Sequence, residues 1–62
     1  SVINVIGSID FVDDINAVLS GETVNVIIEL DKSVVLDTNM EFFIKSDDGK
    51  SIGNGKVLKI IE

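Results

Sequence analysis

Apolar and polar residues along this chain recur mostly with a period of two. Val24, Val26, Ile28 and Leu30 alternate with Asn25, Ile27, Glu29 and Asp31. Successive side chains of a strand point to opposite faces, so the first set is expected to face a core. Met40, Phe42 and Ile44 alternate with Glu41, Phe43 and Lys45 in the same way. Val2–Phe11 reads as extended chain interrupted at Gly7, where a bulge or a close backbone approach is expected. Ile15–Leu19 fits a short strand or one helical turn. A final strand is expected over Lys56–Ile61, with its inward face open between Val57 and Lys59 on one side and Leu58 and Ile60 on the other. Turns are expected at Gly21-Glu22, at Asp37-Thr38-Asn39 and at the hairpin loop Asp47-Asp48-Gly49, where glycine permits positive φ.

Val, Ile and Phe dominate the apolar positions, which is strand chemistry. Short strands at regular spacing, with no convincing helix, predict an all-β sandwich or barrel. At 62 residues the chain forms at most one small domain. Such a chain buries only about 60% of its unfolded surface and generally needs a staple. Without Cys there is neither a disulfide nor a thiolate metal site, and without His the commonest base and metal ligand are missing. The chain therefore reads as a piece of something larger and, taken alone, as no enzyme.

The formal net charge of −6 disfavours nonspecific nucleic-acid binding and anionic membrane surfaces. Gly53-Asn54-Gly55 does not complete a dinucleotide fingerprint, because Leu58 stands where a third glycine is needed. Gly49-Lys50-Ser51 ends like a phosphate loop, but Ile44 stands at its first glycine position and a strand follows. The glycines read instead as sites of bending and close strand approach. Asp10, Asp13 and Asp14 lack the spacing of a calcium loop and read as solvated acids, as do Asp47 and Asp48. Strand alternation turns Phe43 outward if Phe42 is core. Together with Ile27 it marks a surface suited to burial against another domain.

Met40 to Lys45, the acidic loop and Gly49 to Val57 together resemble the closing segment of the elongation factor Tu family. Asn4 to Phe11, Val18 to Thr23 and Glu29 to Lys45 resemble earlier stretches of the same C-terminal domain in the same order. The resemblance spans essentially the whole chain, with a single insertion in the Ser46–Gly49 loop. It implies that residues 1–62 are part of domain III, an antiparallel β-barrel incomplete at its N-terminal side. Proteins of that family are GTPases that deliver aminoacyl-tRNA to the ribosome. This part is expected to hold no cofactor, since GTP and Mg belong to the GTPase domain it lacks. The resemblance implies tRNA T-stem contacts at Lys45, Ser46, Asp47, Lys50 and Ser51. It implies a GTPase-domain interface at Phe43, and contact with the exchange factor Ts at Ala17 and Leu19. Lys45 and Lys50 replace family arginines and lack their bidentate fork. Val12, Ser20 and Ser33 replace family prolines, and Lys32 a histidine.

The absence of Arg, with frequent Ile, Asn and Lys, suggests an AT-rich genome. The implied location is a bacterial cytoplasm or an organelle stroma such as a plastid or apicoplast, with no membrane partner. Alternatives are the barrel of another translation GTPase, or an unrelated β-barrel interaction module. Exposed strand edges are expected to make the isolated chain self-associate.

Overall fold

The computed structural model describes residues 3–15 and 17–61 and contains four strands among them: β1 (Gly7–Phe11), β2 (Val26–Leu30), β3 (Glu41–Lys45) and β4 (Ser51–Lys56). They form two separate antiparallel ribbons, β1 with β2 and β3 with β4. The chain is all-β, with no helix among the described residues and no closed barrel.

In the first ribbon Gly7 pairs with Leu30, Ile9 with Ile28 and Phe11 with Val26. Paired residues share a face, so these six positions form one side of the ribbon and Ser8, Asp10, Ile27 and Glu29 the other. Val26, Ile28 and Leu30 are half-buried, as their alternation predicts, and Ile27 is exposed. The strand is shorter than its hydrophobic pattern, since Val24 is half-buried outside it. At one end the Asp31 N–H donates to the Ile6 carbonyl (2.8 Å), and the Asp31 carboxylate accepts from the Ile6 N–H (3.2 Å). Gly7 is a close approach rather than a bulge. A β-carbon there would sit 3.1 Å from the Glu29 carbonyl oxygen and from methyl groups of Ile28 and Leu30.

The second ribbon pairs Phe42 with Gly55 and Ile44 with Gly53, all half-buried. Phe43 lies opposite Asn54 on the outer face. Ile44 pairs with Gly53 but Lys45 with Ser51, so Ile52 is the extra residue of a bulge. The reversal itself is made by Gly49. Its φ is +84°, its N–H donates to the Ser46 carbonyl (2.9 Å), and the Ser46 N–H donates to the Lys50 carbonyl (2.9 Å). The other two turns also form where expected. Gly21 adopts φ +89° in the Leu19–Glu22 turn, and Asn39 adopts φ +69° in the Asp37–Met40 turn.

Two expectations are corrected. The last strand runs over Ser51–Lys56 and ends where it was expected to begin. Its partner β3 starts at Glu41 because the Asn39 turn carries the chain away, and the Asn39 N–H closes the ladder on the Val57 carbonyl (2.7 Å). Residues 58–61 have no strand to pair with among the described residues. Val57 is half-buried and Leu58 exposed, which settles the inward face at that point. Ile15–Leu19 is neither strand nor helix in its described residues. Asn16, and Val2 of the first extended segment, lie outside the described residues.

No described residue is fully buried. The chain exposes 5858 Å² for a mass of 6.7 kDa, whereas a compact protein of this mass exposes about 3,900 Å². The radius of gyration is 12.0 Å, against about 10.6 Å for a compact chain of this length. Hydrophobic stabilisation is therefore confined to two half-covered ribbon faces.

One consequence concerns Gly55. A β-carbon there would lie 2.9 Å from ring atoms of Phe42, while one at Gly53 would meet only Ile44 Cδ1, at 3.9 Å. Gly55→Ala is expected to destabilise the ribbon by about 1–3 kcal/mol through overpacking, and Gly53→Ala to be nearly neutral. Urea midpoints of the two variants read the difference.

Candidate functional site

The β3–β4 hairpin carries five of the eight expected site residues at its tip. Lys45 ends β3, Ser51 opens β4, and Ser46, Asp47 and Lys50 lie in the turn between them. The ladder register brings them together, since Lys45 and Ser51 are cross-strand partners. Phe43 stands two residues before Lys45 on the same outward face and is 72% exposed. Ala17 and Leu19 lie on a separate loop, both exposed, just before and within the Leu19–Glu22 turn.

The tip is held by Asp48. Its Oδ1 accepts from the Ser46 hydroxyl and from the Lys50 N–H (3.1 Å), and the Ser46 hydroxyl oxygen also lies 3.3 Å from the Lys50 carbonyl. The side chain thus satisfies backbone and hydroxyl groups that the reversal leaves free. The Ser46 hydroxyl first, and the Lys50 N–H second, hold the Asp48 carboxyl below its ordinary pKa. Lys50 Nζ stands 3.9 Å from Asp48 Oδ2, with both side chains largely exposed. A pair this long and this wet contributes little and leaves the ammonium free to turn toward another anion.

The electrostatics of the tip are balanced. Lys45 and Lys50 supply two positive charges and Asp47 and Asp48 two negative ones. Any phosphate approaching the lysines meets two carboxylates beside them. Recognition of a nucleic-acid backbone here has to work by placing individual ammonium groups, not by an attractive field. No cluster of three or more potential metal ligands occurs among the described residues.

A shallow cleft of about 320 Å³ flanks Phe43, lined by Thr23, Glu41, Phe42, Phe43, Asn54, Gly55 and Lys56. Sequence reasoning found Phe43 but not its surroundings. Asn54 and Lys56 reach the same face only through the β3–β4 register, with Glu41 opposite Lys56. The bulge at Ile52 sets that register, and period-two alternation alone does not reveal it. The surface is an exposed ring framed by a carboxylate, an ammonium and an amide.

No protein-family model matches the chain. No solved structure is similar enough to it to count as a match.

The tip makes a pH prediction. The folded pKa of Asp48 is depressed, so its contribution is present above the unfolded value and is lost as pH falls through the folded one. The Lys50 amide resonance should therefore titrate with a midpoint below about 3.9, the unperturbed aspartate value. Asp48→Asn should abolish that transition. An NMR titration checks both, and a midpoint at or above the unperturbed value would contradict the assigned hydrogen bonds.

Proposed function

We propose that this chain is part of the C-terminal β-barrel of a translation elongation factor of the Tu family. In this reading the hairpin tip contacts the T-stem of aminoacyl-tRNA through Lys45 and Lys50, with Ser46, Asp47 and Ser51 around them. Phe43 packs on the GTPase domain, and Ala17 and Leu19 meet the exchange factor. GTP and Mg are held by that GTPase domain, and this part does no chemistry of its own.

The observation that carries the reading is the ordered resemblance across the chain, ending in the alternating strand and the Gly53-Asn54-Gly55 segment. Two physical facts support it. The structure is all-β, with turns at the expected places. It also leaves both ribbons half-covered, as pieces of a sheet that closes around further strands would be. A second reading, a β-domain that binds only other proteins, is favoured by one observation: the tip carries no net charge.

Gel-shift measurements on the full-length protein with aminoacyl-tRNA separate the two readings. Lys45→Ala and Lys50→Ala should each weaken binding and lower the salt dependence by about 0.9 in log–log slope, one phosphate contact per lysine. Unchanged affinity in both variants would remove the tRNA assignment. Phe43→Ala should leave the stability of this chain within about 0.5 kcal/mol, as surface substitutions do, while weakening docking of a separately expressed GTPase domain in a titration.

A further inference from the structure

We propose that two copies of this chain join through the free edge of β1, forming one continuous four-stranded antiparallel sheet with Ile9 on the twofold axis. The inference rests on backbone geometry and stands apart from the translation-factor reading.

Backbone bonding on the two sides of an antiparallel strand alternates by residue. Ile6 and Asp31 bond to each other, and the Val12 N–H donates to the Asn25 carbonyl (3.5 Å). Ser8 and Asp10 share that parity and point their backbone groups at β2. Gly7, Ile9 and Phe11 therefore point their N–H and C=O groups away from the ribbon, as an open ladder.

The same logic applies to every strand, since each ribbon has only two. On β3 the outward row is Glu41, Phe43 and Lys45, and on β4 it includes Asn54 and Lys56. Charged side chains in those rows blunt edge pairing. On β2 the outward row is Val26, Ile28 and Leu30, already half-buried. Only β1 is exposed at all five residues, with Ile9 and Phe11 each 42% exposed. It carries no lysine or proline to protect it.

Self-pairing of β1 has one favoured register. With Ile9 opposite Ile9 of the other copy, Phe11 faces Gly7 and Asp10 faces Ser8. The outward rows then bond to each other, and all five residues overlap. Shifting by one step toward Phe11 sets Asp10 against Asp10, a like-charge pair. Shifting the other way loses Phe11 from the overlap. A phenylalanine opposite a glycine is an arrangement this chain already uses at Phe42 and Gly55. The twofold keeps Ile9, Phe11, Val26, Ile28 and Leu30 of both copies on one side, doubling the width of the apolar face. The edge is accessible, since β1 is exposed along its whole length. The opposing term is repulsion between two chains of net charge −6. Added salt should therefore strengthen the dimer.

Sedimentation of the unmodified chain should give a mean mass rising with concentration from 6.7 kDa toward twice that value, and doing so more readily at 0.15 M than at 0.01 M salt, as the screening length falls from about 30 to about 8 Å. The natural chain has no cysteine, so single replacements report the register. The paired α-carbons at position 9 would lie about 5.5 Å apart, within disulfide range, whereas two copies of position 10 would lie roughly 8 Å apart. Ile9→Cys should oxidise to a covalent dimer at least about tenfold faster than Asp10→Cys, whose separation exceeds the disulfide limit. A monomer at all concentrations overturns the proposal. So does equal cross-linking at the two positions, or faster cross-linking at Ile28→Cys, which would place the seam on β2.

Discussion

A two-stranded ribbon has one apolar face and no third strand to continue it, and this constraint governs the rest of the molecule. An isolated hairpin of this kind is marginal in water. Here two of them occur without sharing a ladder. Their inner faces reach only half-burial, so the stabilisation available from Val26, Ile28, Leu30, Phe42 and Ile44 is a fraction of what a closed core would provide. Local devices consequently carry much of the specification. Asp31 caps one ribbon, Asn39 and Val57 close the other, and Asp48 fixes its tip.

The turns are the most legible part of the sequence, whereas the roles of Asp31 and Asp48 are not. Gly21, Asn39 and Gly49 adopt positive φ where turn residues interrupt the alternation, because a local steric requirement leaves a local signature. The alternation at Val24 to Leu30 and at Phe42 to Lys45 identified the inner faces for the same reason, but Met40, expected to face inward with Phe42 and Ile44, is exposed. The end of the last strand was not legible, since a strand needs a partner and β3 runs out at Glu41. The bulge at Ile52 was equally hidden, because it exists only in the pairing of two segments. Whether further strands close these ribbons into a barrel depends on contacts that lie beyond either ribbon's own pattern.

The same distinction separates the parts of the candidate site. Lys45, Lys50 and Phe43 could be picked out as residues, but their neighbours could not. Asp48 looked like a solvated acid in sequence and in the structure accepts from the Ser46 hydroxyl and the Lys50 amide. That ties its carboxylate to the turn, leaving it little freedom to swing away when an anion approaches. The two lysines thus sit beside fixed negative charge.

Each strand of the two ribbons leaves one edge of its backbone unpaired among the described residues. In a compact domain the edge of a sheet is a hazard to be blunted, and β3 and β4 show this with Glu41, Lys45 and Lys56. The outward row of β1, Gly7, Ile9 and Phe11, carries no charge. An unprotected edge is a template for a further strand; in the two readings proposed above, that strand is a neighbouring strand of a larger barrel or an identical strand of a second copy. Both occupants satisfy the same outward row of Gly7, Ile9 and Phe11 and extend the same apolar face. The two differ in one respect: an intramolecular strand is present at any concentration, while a second copy binds by mass action.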